Sequence, residues 1–403
     1  MQIPVIYILV FLCWLPSTKS IKVSPCARWN TMGIIVAGTG GRGNKPEQLN
    51  QPEGIFIHKQ TNTLYVADTG NERIQVFSLD KLSTMGTTVI SNITFAMKIY
   101  VDDDNNGPTI YLAIESEHRV KKWVQGTSQG AQGVQVGGEC FYCTGVWVDK
   151  EKNVYLSSAG KHCVFKWSPQ TNITTVVAGR EYYSGSTSDN LNSPEGIYVD
   201  STNGAVYVAD YVNNRIQKWL VNASNGTTEA GLSNGNEGSD AESLSRPTAV
   251  WVDEETHVVY VADSSNERIQ RWLYNASMGD TIAGGSGLGD KPNRFDQPVD
   301  LAFDNNGNLY VELSRIQIDL NTQHFIDEYG RIFHDDDSNN LHQWGFYTSW
   351  MGVNYHSEDE INQEYLSQLS IAIQMKENKG IYALLDCHQD IFSRYFCGEG
   401  VSD

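Results

Sequence analysis

The sequence predicts a mainly β chain: a six-bladed propeller over residues 27–320, followed by an incomplete (β/α)8-barrel segment over 325–403. Three near-copies of one phrase carry the first part. Tyr65-Val66-Ala67-Asp68 is followed by Asn71-Glu72-Arg73-Ile74-Gln75. Tyr207-Val208-Ala209-Asp210 is followed by Asn213-Asn214-Arg215-Ile216-Gln217. Tyr260-Val261-Ala262-Asp263 is followed by Asn266-Glu267-Arg268-Ile269-Gln270. Self-similarity of this size marks a small unit repeated around an axis. The second observation is period-2 alternation of β-branched and aromatic residues, broken by Gly, Asn and Asp, which reads as antiparallel hairpins. The third is the loss of both patterns after about Leu320.

Each unit opens on a Pro-containing turn such as Gln51-Pro52-Glu53-Gly54. An alternating strand follows, as in Gly196-Ile197-Tyr198-Val199-Asp200, then the Tyr-Val-Ala-Asp strand and an Arg-Ile-Gln strand. Val36-Ala37-Gly38, Val177-Ala178-Gly179 and Ile282-Ala283-Gly284 mark a fourth strand. Four strands per unit is a propeller blade. Weaker copies occupy 97–123, 143–167 and 295–317. The last has Val311-Glu312-Leu313 in place of Val-Ala-Asp and ends on Arg315-Ile316-Gln317. The Val36-Ala37-Gly38 strand precedes any complete blade and is expected to close the ring against the last one, removing an open sheet edge. In each strong copy the Arg lies five residues after the Asp, so the two can pair across a tight turn. A brace that every blade needs explains this pair better than catalysis, which would single out one or two blades.

The Pro-x-Gly, Val-Ala-Asp and Asn-x-Arg-Ile-Gln signatures resemble NHL-repeat propellers over about 27–320. The resemblance implies loops around a central channel that bind a protein or glycan ligand. An amidating lyase shares this fold, which raises the alternative of a propeller lyase with a zinc site. The histidines His58, His118, His162 and His257 are read as falling at different blade positions, so no metal or other cofactor is assigned.

Residues 5–15 form an apolar run of secretory-signal length, shorter than the roughly 20 residues a membrane-spanning helix needs. Residues 1–20 are therefore expected to be a signal peptide and the chain to be secreted, with no transmembrane segment. Asn92, Asn172, Asn222, Asn225 and Asn275 head Asn-x-Ser/Thr sequons. Loss of the leader leaves six cysteines, at 26, 140, 143, 163, 387 and 397. Cys143 stands where other blades carry the turn Pro and Cys163 where they carry the Arg, so a Cys143–Cys163 bridge is expected to replace the missing brace. The pairing of Cys26, Cys140, Cys387 and Cys397 is left open. A formal net charge of −19 and an isoelectric point near 4.8 exclude a nucleic-acid partner, whose phosphates demand a basic face.

In the C-terminal segment, Ile361, Tyr365, Leu366, Leu369 and Ile373 keep a helical period, Gly380 caps it, and Ile381–Asp386 reads as a buried strand. Phe325–His334, Trp344-Gly345-Phe346 with Met351-Gly352-Val353, and Leu384–Asp390 with Phe392–Gly400 resemble glycoside hydrolase family 5 enzymes of the endoglycoceramidase type. The resemblance implies a glycosphingolipid as a possible partner and a sugar subsite at His388, Gln389 and Asp390. It also implies inactivity of the chain as it stands. Trp350 occupies the place of the family's site Arg, and neither the acid/base Glu nor the nucleophile Glu of that two-carboxylate mechanism has a counterpart. The expected function is thus a secreted binding module carrying an inactive glycosidase-like segment. The alternative is one part of a longer glycosidase that hydrolyses O-glycosyl bonds.

Overall fold

The computed structural model describes residues 8–11, 27–29, 33–38, 42–80, 84–102, 107–124, 132–285, 295 and 297–313. The chain divides into two units between Ile318 and Asp319. The barrel-like segment 325–403, with His388, Gln389 and Asp390, lies outside the described residues, as do Cys26, Cys387 and Cys397.

The first unit is a ring of antiparallel sheets. Five blades are continuous in sequence, spanning 54–91, 96–136, 143–179, 194–231 and 247–284, with four strands each in sequential order. Their inner strands are Gly54–His58, Ala96–Asp102, Cys143–Val148, Pro194–Val199 and Pro247–Val252. A sixth four-stranded sheet is composite. Pro298–Phe303 and Leu309–Leu313 supply its inner half, and Ile8–Phe11 and Ile34–Ala37 its outer half. The blade count read from the sequence is therefore corrected to five continuous blades plus this closing sheet. Ile34–Ala37 is the outermost strand there. Between it and Leu309–Leu313 lies Ile8–Phe11, antiparallel to both. These residues belong to the stretch read as a removable leader. Arg315-Ile316-Gln317, expected as the third strand, lies outside the described residues.

Alternation explains the packing. In each blade the Tyr of the second strand pairs with the inner strand, as Tyr207 does with Tyr198 and Tyr260 with Trp251. The small Ala that follows it is fully buried, as at Ala67, Ala209 and Ala262. Apolar side chains of neighbouring blades interdigitate: Val250, Val252 and Trp272 of one blade pack with Tyr207, Ala209 and Ile216 of the preceding one. Hydroxyls stitch the seams. Thr144 Oγ1 donates to Pro194 O (2.7 Å) and Thr248 Oγ1 to Pro298 O (3.0 Å). The residue before the inner strand has positive φ at Phe95, Tyr142, Ser193, Arg246 and Gln297, and in the first blade Gln51, three residues before Gly54, has it. Each seam thus turns on one left-handed residue.

The Asp–Arg pairs are braces. Arg73, Arg215 and Arg268 donate through Nε to Asp68, Asp210 and Asp263 at 2.7, 2.8 and 2.7 Å. The remaining N–H groups of Arg73 and Arg268 reach backbone carbonyls of the preceding connection, Asn44, Lys45 and Gln48 for Arg73, and Ser239, Asp240 and Ser243 for Arg268, while Arg215 reaches Ser186, Thr187 and Asn190 before its blade and Ser233 after it. These connections are long. Before the blades starting at 96 and 143 the connections are short, only 92–95 and 137–142. There the paired positions hold Ile114 with Arg119 and Ser158 with Cys163. The brace occurs where a long loop needs holding.

The cysteine pairing differs from expectation. Cys140 is bonded to Cys143, and Cys163 is a free, buried thiol. The register gives the reason: Cys143 pairs with Ser158, and Ser158 pairs with Cys163. A whole strand separates the two cysteines, about 10 Å at the usual strand spacing, beyond disulfide reach. The Asp and Arg of other blades lie on adjacent strands. The turn Pro and the Arg do not.

Candidate functional site: the central cavity and its mouth

The inner strands enclose a cavity of about 230 Å3 on the ring axis. The residues that line it follow from one register. Gly54, Gly145, Gly196 and Ala249 stand at equivalent positions where neighbouring inner strands crowd together. A Cβ on Gly54 would fall 2.6 Å from Met97 O, and one on Gly196 2.7 Å from Thr248 O. Two blades break this rule with charged residues, Lys98 and Asp300. They flank Gly54 from either side, and the missing side chain leaves room for Lys98 Nζ to reach across to Asp300 Oδ2 (3.4 Å) and Val299 O (2.9 Å). Asp300 Oδ2 also accepts the Ile55 N–H at 3.0 Å.

More carboxyls gather at this end of the channel. Glu53 and Glu195, from the Pro-Glu-Gly turns, and Glu115 all act electrostatically on one another or on Lys98. Burial pushes the Glu195 carboxyl up to about 8, against the pull of Lys98, and Glu53 and Glu115 push it the same way. Burial also raises Glu53 and Asp300, which Lys98 holds down in part. Behind Asp300 its strand partner Glu312 is fully buried, and neither carboxylate oxygen accepts a hydrogen bond among the described residues. Burial holds Glu312 well above the usual carboxylate range, with Asp300, Glu53 and Asp68 pushing the same way against Lys98. Tyr211 beside this group is raised by burial and by Glu195, and Arg246 holds it down in part. A recessed carboxyl that titrates near neutrality can take or give a proton, and such groups gather at functional sites.

The other end of the channel is aromatic. Phe56, Tyr100, Trp147, Tyr198 and Trp251 share one register position, each opposite the blade Tyr. Consecutive ring centroids lie 4.8, 5.0, 4.5 and 6.0 Å apart. Ala302 holds this position in the closing sheet, and Lys59 Nζ lies 5.9 Å from the Trp251 ring. The cavity therefore runs from a carboxyl mouth to an aromatic collar.

The sequence reading missed this site because it took departures from the repeat as decay. The usable signal was charge at positions that are otherwise Gly or Ala: Lys98, Asp300 and Glu312. Among the described residues no three His, Cys, Asp or Glu side chains are placed to hold one metal ion. His118 and His162, read as unrelated positions, are in fact equivalent, since each precedes the third strand of its blade with positive φ. Their Nδ1 atoms accept backbone N–H groups of Tyr142 (3.2 Å) and Ser193 (3.1 Å). The five sequon asparagines are all exposed.

The NHL repeat family matches residues 49–77 and 191–219. Over 148 residues the chain is 26% identical to a probable peptidyl-alpha-hydroxyglycine alpha-amidating lyase of Caenorhabditis elegans, covering 36% of this chain and 41% of that protein. Over 75 residues it is 33% identical to an endoglycoceramidase of Hydra vulgaris, covering 18% of this chain and 14% of that one. The chain thus spans less than half the length of either relative. Among solved structures, an auxiliary nutrient binding protein from Bacteroides thetaiotaomicron superposes with a TM-score of 0.52 at 13% identity, covering 76% of each chain. A gluconolactonase from Xanthomonas campestris superposes with a TM-score of 0.51 at 11% identity, covering 75% of this chain and 97% of that one. At such identities these two likenesses speak for the fold alone. The chain is a β-propeller built on NHL repeats.

Proposed function

We propose that the propeller is a ligand-binding module whose ligand enters the central cavity through the carboxyl mouth. The observation that carries this reading is the gathering of Glu53, Glu115, Glu195 and Asp300 around the single Lys98, above a cavity closed by an aromatic collar. A ligand with a protonated amine or a hydroxyl at its head and an apolar body would meet carboxyls first and rings second. Binding measured by calorimetry with small aromatic amines should weaken in Glu195→Gln and Asp300→Asn, and equal affinity in both variants would refute the reading. A second reading draws on the amidating-lyase relative. Glu195 would take the proton of an α-hydroxyglycine hydroxyl and return it to the departing amide nitrogen, which leaves the amide and glyoxylate. Turnover of a peptidyl α-hydroxyglycine that disappears in Glu195→Gln would favour it over binding alone.

The glycosidase reading rests on the likeness to the Hydra endoglycoceramidase. It predicts that this chain by itself releases no oligosaccharide from a ganglioside, and turnover abolished by His388→Ala would overturn it. Secretion and glycosylation at Asn222 or Asn275 belong to the same reading and are tested by mass loss on deglycosylation of protein from a secretory host. Cleavage near Ser20 would also take Ile8–Phe11 out of the closing sheet. Arg315-Ile316-Gln317 carries the sequence that fills this third position in the strong blades, so intact-mass analysis and amide exchange at 309–313 test the two together.

A further inference from the structure

The face of the propeller that bears the inter-blade connections is uneven, and its low sector forms a second concavity. The connections before the blades starting at 54, 194 and 247 are long and pinned by Arg73, Arg215 and Arg268. Those before the blades starting at 96 and 143 are short. Between these two blades lies a groove of about 280 Å3, lined by Phe141, Tyr182, His118, Glu139, Arg119 and Lys161 among others.

Its aromatic wall is rigid. The Cys140–Cys143 disulfide closes a four-residue turn with Phe141 and Tyr142 at the apex. Phe141 O accepts from Gly160 N (3.0 Å) and Ser158 Oγ (2.7 Å). Gly160 lets both rings settle onto its turn, since a Cβ there would fall 2.4 Å from Phe141 Cδ1 and 2.9 Å from Tyr142 Cδ2. The His118 ring lies tilted 4.7 Å from Phe141 and edge-on 5.4 Å from Tyr142. Even so, Phe141 stays 45% and Tyr182 66% exposed. The Phe141 ring, held this firmly, loses little freedom on binding.

The polar lining is mixed and charge-balanced, with Glu117 and Glu139 against Arg119 and Lys161. Because His118 Nδ1 accepts the Tyr142 N–H, its proton sits on Nε2 as a donor. Glu139 accepts no hydrogen bond from the described residues and is exposed. Such a groove gives no net attraction to a charged ligand. It offers flat apolar faces together with acceptors and donors at short range, which suits a ring with C–H faces and hydroxyl edges.

We propose that this groove is a carbohydrate-binding site for a neutral oligosaccharide, one sugar ring stacking between Phe141 and Tyr182 and its hydroxyls pairing with Glu139, Arg119 and His118 Nε2. The site is separate from the central cavity and does not depend on the reading given to that cavity. The test is saturation-transfer NMR on the full chain with a panel of neutral gluco-, galacto- and N-acetylhexosamine disaccharides, followed by titration of the strongest. Phe141→Ala and Tyr182→Ala should each weaken that sugar by about fivefold or more, the size expected for loss of an aromatic stack. Tyr182 is the more exposed, so Tyr182→Ala should leave the melting temperature unchanged, and for Phe141→Ala, whose ring also packs on His118 and Tyr142, a parent-like circular dichroism spectrum is the folding control. Leu220→Ser, on a strand-connecting turn of another blade, should bind as the parent does. No transfer to any sugar in the panel overturns the proposal, as does transfer unaffected by both aromatic substitutions. Transfer to a Trp- and Tyr-containing peptide but to no sugar would reassign the groove to polypeptide and overturn it equally.

Discussion

Arg215 shows what the repeated arginine does. It is 1% exposed in its side chain, pairs with a fully buried Asp210, and donates to the carbonyls of Ser186, Ser233, Thr187 and Asn190. Arg215→Ala would leave Asp210 without its cation and four carbonyls without this donor. It should cost about 3–5 kcal/mol, read as a shift of the urea midpoint. Arg215→Lys should recover little, because one ammonium cannot reproduce the planar fork. Arg119→Ala, whose part-exposed guanidinium reaches Glu117 O, Gln135 and, at 4.0 Å, the Glu117 carboxylate, should change stability by less than about 1 kcal/mol. Equal losses for the two alanine variants would refute the loop-pinning role. The cysteines give a second residue-scale prediction. Peptide mapping without reduction should find Cys140 joined to Cys143. Burial pushes the Cys163 thiol up to about 12, so alkylation should reach it only after unfolding. A Cys143–Cys163 peptide would show the register to be misjudged.

At the scale of the strand, close approach at the axis decides which residues fit. Gly196→Ala would set a methyl 2.7 Å from Thr248 O and 2.9 Å from Ala249 Cα. Both are backbone atoms of the next inner strand, so relief requires spreading two blades. A cost of about 1–3 kcal/mol is expected, against almost none for Gly138→Ala, whose nearest neighbour is 3.5 Å away. Thermal melts of the two variants compare them directly. The same crowding explains why Lys98 can span from its own strand to Asp300: the intervening inner strand carries only Gly54 at that level.

At the scale of the whole ring, the carboxyl mouth should make stability depend on pH. Glu195 is raised in the folded state to about 8, while an unfolded Glu titrates near about 4.3. Below the unfolded value both states hold the proton and the mouth costs nothing. As pH rises toward about 8 the unfolded chain releases a proton that the folded chain keeps, so stability falls across this window and levels off above it. Glu53 and Asp300, raised in the same direction, deepen the slope, and Lys98 moderates it. Urea midpoints measured from pH 5 to pH 8 should decline, and Glu195→Gln should flatten part of that decline. An unchanged slope in the variant would place the titration elsewhere.

Sequence alone determined the repeated unit, its strand order and the Asp–Arg brace. Each depends on residues a few positions apart, where period-2 alternation and a five-residue offset leave little freedom. Asp68 and Arg73 are strand partners across one tight turn, so their spacing already implies their contact. What the sequence did not reveal depends on residues brought together from different blades. The free Cys163 follows from an intervening strand, and the composite closing sheet from the pairing of residues 8–11 with 309–312. The carboxyl mouth gathers Lys98, Glu195 and Asp300 from three inner strands and Glu53 from just before a fourth. Read along the chain, Asp300 and Glu312 look like erosion of a repeat. Only closure of the ring places them around one lysine, where exclusion of water turns unlike residues from separate blades into a single interacting group.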